Sequence, residues 1–226
     1  MSFQIASTWS ERCRQAQAVK DRCNGIIGKL GVPDDDARAL GMVHVRQFCN
    51  TLAFVPMKLQ QNAERPVNVP VIMQLLGLQE KPEDLRELLD DLDKNSRTSF
   101  VTMTQFALEN CVERVLDTLP GETAQGGFHS STKRLLSVAA VGDQDQKLKR
   151  LMVPAWIRNS LHAGGVHGRG NRRVEIAGAL YVFEKGKRFG CASWSHILHA
   201  VLHNLDIYEE LLLSRAVMAV PVVPAG

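Results

Sequence analysis

Hydrophobic positions recur with the period of an α-helix through most of this chain, and polar positions fall between them. Residues 10–30 form a first such stretch, closed by Gly31-Val32-Pro33. Asp34-Asp35-Asp36 opens a second, with carboxylates at the positive end of the helix dipole, and it extends to residue 59 with an interruption near Pro56. Pro66 and Pro70 punctuate the chain before a short apolar helix over 71–76. Pro82 suits a first helical position and opens a helix to residue 92. Another follows over 99–119 and is stopped by Pro120-Gly121.

Residues 121–131, rich in Gly, Thr, Gln and Ser with little to bury, read as a linker. Helices resume over 132–141 and 144–163, the second kinked or restarted at Pro154 and capped by Gly164-Gly165. The period then shortens to two. Val174, Ile176, Leu180 and Val182 alternate with Glu175, Ala177, Tyr181 and Phe183, broken at Gly178. A turn at Glu184-Lys185-Gly186-Lys187 and a second run over 188–192 complete a predicted β-hairpin. Ser193 caps a last helix over 194–215, and the proline-containing tail, 216–226, is expected to lie over the surface. The pattern defines a mainly α fold, a helical bundle with one β-hairpin inserted before the C-terminal helix. It divides into an N-terminal helical region, 1–120, the linker, and a C-terminal helical region, 132–226, that carries the hairpin.

Composition narrows the class. With 226 residues, 45% apolar and 23% charged, the chain can bury a sizeable core and is neither disordered, collagen-like nor a coiled-coil rod. Its longest charge-free stretch, 189–205, is 17 residues long and contains three His and an Asn. A spanning helix needs about 20 mostly apolar residues, so no membrane segment is expected. The start, MSFQIASTWSERC, lacks a basic segment followed by an apolar one, so no signal peptide is expected. Five scattered Cys without CxxC spacing fit free thiols in a reducing cytoplasm better than disulfides or a zinc site.

The formal charge of +3 conceals an asymmetry. Residues 1–130 hold 14 basic and 17 acidic side chains, a balance of −3, whereas residues 131–188 hold 12 and 4, a balance of +8. Such a concentration either solvates exposed helix faces or meets an anionic partner, of which nucleic acid is the leading class.

The basic segment includes Ile157-Arg158-Asn159-Ser160-Leu161-His162-Ala163-Gly164-Gly165. At helical spacing Arg158 and His162 share a face, Asn159 adjoins His162, and the turns before carry Leu148, Leu151, Met152 and Ala155 on that same side. An Arg and a His continuing an apolar stripe need partners. Those partners are either a neighbouring carboxylate or carbonyl, or a bound anion such as a phosphodiester. Metal-free RNA cleavage needs a group that exchanges a proton near neutral pH and a permanent cation for the crowded phosphate. His162 and Arg158 are of those types, and Asn159 can orient either. One His supplies half of an acid–base pair, and two-fold dimerisation would supply the other half.

The run Arg158-Asn159-Ser160-Leu161-His162 followed by Gly164-Gly165 resembles the signature of the HEPN superfamily. The stretch beyond it resembles a bacterial branch of the same superfamily: a strand ending Tyr181-Val182-Phe183, a Lys185-Gly186-Lys187 turn, and Ser193-Trp194 opening the final helix. The resemblance covers residues 148–214. It implies an all-helical, usually dimeric bacterial protein, in many cases a metal-independent endoribonuclease of toxin–antitoxin or other defence systems that leaves 2′,3′-cyclic phosphate. It would make Arg158 the phosphate contact, Asn159 the polar helper and His162 the catalytic imidazole. The family commonly leaves more residues between Arg and His than the three present here, Asn159, Ser160 and Leu161. His167, beyond the glycines, is the alternative imidazole. The resemblance also admits a non-catalytic module that binds RNA or a protein partner such as an antitoxin.

The loop 164–173 is basic and Gly-rich, and His167, Arg169, Arg172 and Arg173 are its candidate RNA-binding residues. It lacks the GxxxxGK[ST] order of a nucleotide-binding P-loop, and no cofactor is expected. On the last helix His196, His199 and His203 form a stripe opposite Trp194, Ile197, Leu198, Val201, Leu205, Tyr208 and Leu212. With Asp206 or Glu210 this stripe could hold a metal ion. A solvated face or a dimer contact is the favoured reading, and no metal is assigned.

Overall fold

The computed structural model describes residues 3–78 and 82–225. Helix α1, Trp9–Leu30, begins in a capping box in which Thr8 and Glu11 satisfy each other's backbone N–H groups, and Gly31 closes it in the left-handed conformation, φ 59°. Helix α2, Ala37–Phe48, is capped by the Asp36 carboxylate. It passes through a π-helical stretch, Cys49–Phe54, directly into α3, Val55–Ala63. Pro56, near the start of α3, has no N–H to donate backwards, and the widened turns before it absorb the missing bond. A short 3₁₀ turn, Pro66–Asn68, leads to α4, Val69–Leu75.

Helix α5 runs unbroken over Pro82–Thr118, where sequence pattern predicts two helices, 82–92 and 99–119. The polar residues that suggested a break are tertiary contacts. Asp93 pairs with Arg97 at 2.9 Å and accepts the Trp194 indole N–H at 2.7 Å. Arg97 donates to the Ala192 carbonyl at 2.8 Å, and Ser96 is buried. Helix α6, Gly127–Val138, starts within the predicted linker. Then come α7, Gln144–Leu151, and α8, Val153–His162, with Met152 at the junction, so Pro154 marks a fresh start.

Strands β1, Arg172–Ile176, and β2, Ala179–Phe183, pair antiparallel around the two-residue turn Ala177-Gly178, whose φ values are 43° and 83°. Two left-handed residues match the twist of a tight hairpin. The predicted hairpin is thereby corrected: both strands lie within what reads as one alternating run, and 188–192 supplies no strand. The fold-back also changes which side chains share a face. Val174 stands opposite Tyr181 and Ile176 opposite Ala179, all buried, while Leu180 and Val182 face outward. Helix α9, Trp194–Leu212, is capped by Ser193 and followed by α10, Arg215–Met218.

The fold is mainly helical with a single hairpin before α9. Helices α1, α2, α5, α8 and α9 surround one buried cluster that extends from Cys13 to Val223 and takes residues from both sides of 121–131. Four of the five free thiols, Cys13, Cys23, Cys49 and Cys111, are buried, and burial pushes the last three up to about 12. Helix α2 lies close on α5. A Cβ added at Gly41 would stand 2.8 Å from Cys111 Cβ. Gly41→Ala is therefore expected to force the two helices apart at a cost of about 1–3 kcal/mol. Chemical denaturation checks this, and an unchanged midpoint would show the helices free to yield.

The tail does not simply lie over the surface. Val217 and Val223 are fully buried, and Asp36 and Arg38 hold the segment from beneath. Arg38 grips Asp36 with Nε at 2.9 Å and Nη2 at 2.6 Å, and its remaining N–H groups reach the carbonyls of Val217, Val220 and Pro221 at 3.0–3.2 Å. Asp36 also accepts the Arg38 and Val223 backbone N–H groups, both at 2.9 Å. Both side chains are 0% exposed.

Candidate functional site

Helix α8 ends at His162, because Gly164 and Gly165 take φ values of 69° and 85° and the Gly165 N–H returns to the Ser160 carbonyl at 2.8 Å. The last turn therefore presents Arg158, Asn159 and His162 beside the middle of α5. His162 is exposed, and its Nε2 lies 3.2 Å from Thr102 Oγ1. Arg158 is half-buried. Its Nε and Nη2 donate to Asn159 Oδ1 at 3.3 and 3.2 Å, and its guanidinium lies 5.8 Å from the ring centre of Phe106. Among the described residues Arg158 has no carboxylate partner. Its partners are a neutral amide and an aromatic face, so its charge stays unneutralised. Phe106 and Met103, 53% and 39% exposed, form an apolar shoulder on the same stretch of α5. Thr102 and Phe106 carry no local signal of this role. They lie more than fifty residues from Arg158 and His162 in sequence, and only the α5–α8 packing joins them.

His167 is not part of this group. It is 2% exposed, its Nδ1 lies 3.2 Å from Ser160 Oγ and its Nε2–H donates to the Gly170 carbonyl at 3.2 Å. Its ring packs on Phe183 with centres 5.2 Å apart. Its backbone exchanges bonds with Lys187 and Gly186, and Val166 bridges Arg188. Residues 186–189 thus pair with the Gly-rich loop and not with the hairpin. His167, expected from sequence to contact RNA, has both ring nitrogens engaged within the chain, where they staple the loop, and it also lines a cleft between α7, α8 and β1.

Arg169, Arg172 and Arg173 are exposed and line a different feature. A cleft of about 470 Å³ opens between α7, α8 and β1, with Trp156 and Lys149 among its walls. Sequence reading missed Trp156, which looks like an ordinary core aromatic. The exposed rim of β1 reaches it only after the hairpin folds back.

In the histidine stripe of α9, His196 and His199 pack within the chain while His203 stays partly exposed. His196 is 9% exposed, with Nδ1 2.7 Å from Ser193 Oγ, and Phe3 packs on both His196 and His199. The Tyr181 hydroxyl donates to the His196 carbonyl at 2.8 Å, and its oxygen lies 3.1 Å from Nδ1 of His199. His203 Nδ1 lies 3.4 Å from Asp206. Among the described residues no group of three or more His, Cys, Asp or Glu could hold a metal ion.

Burial first, and then the neighbouring His203, pushes His199 down to about 4, and burial also lowers His196. A base depressed in this way stays neutral in the folded chain and is protonated first in the unfolded one. The stability it supports is full above the ordinary imidazole value of about 6.5 and declines as pH falls from there toward 4. Thermal unfolding across that window is expected to show the decline. His199→Gln should flatten it, and an equally steep decline in that variant would assign the effect to other groups.

No protein-family model, curated protein or solved structure matches this chain. Among the described residues, no helix is long and apolar enough to cross a membrane.

Proposed function

We propose that this chain is a metal-independent endoribonuclease of HEPN type, cytoplasmic, working as a homodimer in a bacterial defence or toxin–antitoxin setting. The observation that carries the reading is the end of α8, where an Arg with no carboxylate partner among the described residues and an exposed His stand one turn apart. In this reading His162 takes the proton of a ribose 2′-hydroxyl, and the 2′-oxygen attacks the adjacent phosphorus. Arg158, held by Asn159, stabilises the added negative charge. The bond to the 5′-oxygen breaks, giving a 2′,3′-cyclic phosphate and a 5′-hydroxyl. A second copy of the chain, seated on the Met103–Phe106 shoulder, brings the imidazole that protonates the leaving oxygen.

The test is incubation of purified protein with a mixed single-stranded and structured RNA in EDTA. Fragments bearing 2′,3′-cyclic phosphate are expected. Intact RNA in the presence of well-folded protein would sink the catalytic reading and leave the non-catalytic module, which binds RNA or a protein partner.

A further inference from the structure

The cleft between α7, α8 and β1 lies across α8 from the proposed catalytic face, since Trp156 stands about 200° around the helix from Arg158. Its size, about 470 Å³, falls within the range of sites for small ligands. Trp156 is half-buried and fixed edge-on by Phe183, with ring centres 5.4 Å apart. The Arg172 guanidinium lies 5.5 Å from its ring centre. Lys149, Arg169 and Arg173 add exposed cations, and Asp145 is the one acid in the lining. Among the described residues none of these four cations pairs with a carboxylate.

The occupant must offer a flat π surface to Trp156 and Arg172, and negative charge within reach of three more cations. An acidic peptide supplies charge without a reason for the indole, and a fatty acid supplies no flat face. A nucleotide supplies both, because every base has a π face and carries a phosphate beside it. In a duplex the bases are stacked on one another, so the strand must be single.

We infer that this cleft seats one nucleotide of a single-stranded RNA. The base stacks against the Trp156–Arg172 pair, and its flanking phosphates lie on Lys149, Arg169 and Arg173. The inference rests on the RNA-substrate reading and extends it. The strand is anchored on one face of α8 and cut on the other, so a base away from the cut contributes to the choice of site.

The experiment measures binding of a labelled single-stranded 2′-O-methyl octanucleotide, which offers no 2′-hydroxyl for cleavage, by fluorescence anisotropy in EDTA. Trp156→Ala and Arg172→Ala are each expected to weaken binding on the order of tenfold, and Trp156→Phe to retain most of it. Asp145→Asn is expected to tighten binding, which loss of folding cannot imitate. Arg172 and Asp145 are exposed, so these variants read out the cleft even where Trp156→Ala folds poorly. Wild-type affinity in all four variants would overturn the inference. So would equal affinity for a duplex of the same length, or for a free nucleoside monophosphate, which would point to a small-ligand site. Cleavage of unmodified RNA separates the two readings. Cleft variants that change binding of an RNA the protein never cuts remove only the nuclease. Cleavage that needs His162 but ignores Trp156 and Arg172 removes only the cleft.

Discussion

Replacing Arg38 with alanine lowers the stability of the folded chain by about 3–5 kcal/mol, because it leaves the Asp36 carboxylate buried without its counter-charge. Three tail carbonyls, those of Val217, Val220 and Pro221, lose their donors in the same step. In a chain of this size the loss corresponds to a fall in Tm on the order of 10 °C. The damage is directional: the tail is released first, and carboxypeptidase digests Arg38→Ala from the C-terminus under conditions where the wild type resists. Replacing both partners with apolar residues of similar size costs less than Arg38→Ala alone, since no uncompensated charge remains. Urea unfolding of the single and double variants checks this, and a loss below about 1 kcal/mol in Arg38→Ala would show the pair to be dispensable. Acid adds a further check. Burial pushes the Asp36 carboxyl up, but the hydrogen bonds from Arg38 and from the Val223 N–H outweigh it and hold the group below its ordinary value. A depressed acid contributes stability that is complete at neutral pH and is lost as pH falls through the folded value. The wild type is therefore expected to lose its tail contact in strong acid, with no loss from this pair near pH 6.

The second large effect follows from the proposed endoribonuclease reading. His162→Ala is expected to lower the rate of RNA cleavage about a hundredfold to ten-thousandfold, the usual worth of a positioned proton-transfer group. Its exposure predicts a change in stability within about 0.5 kcal/mol, so lost activity is not lost folding. Arg158→Ala should fall comparably. Arg158→Lys should recover little of the rate, because an ammonium keeps the charge but not the fork that Asn159 holds. Single-turnover cleavage in EDTA with urea-gel readout checks the series. Full activity in His162→Ala would remove this imidazole from the reaction.

The same residues show how far local pattern reaches. Helical period, capping residues and the change to period two are short-range properties, so α1, the restart at Pro154, the end of α8 after His162 and the start of α9 at Ser193 were all legible. The i, i+4 relation of Arg158 and His162 was legible for the same reason. A hairpin was legible as a change of period, but its turn was not. Ala177-Gly178 reads as an interruption in one strand, and only pairing of Val174 with Tyr181 shows the chain reversing there. The polar run 93–98 reads as a helix break until Trp194 and Ala192 arrive as partners from far along the chain.

By itself, then, the sequence determined a mainly helical chain with one hairpin, a basic segment and an Arg-Asn-x-x-His helix end, because each depends on neighbours within a turn or two. Tertiary structure alone decided that Thr102 and Phe106 frame that helix end and that His167 turns inward. It also decided that Trp156 meets Arg172 in a cleft and that Arg38 locks the tail. Each of these requires a side chain to find a partner that the chain delivers only by folding back on itself. The energy of such contacts comes from excluding water around groups that local sequence does not place together.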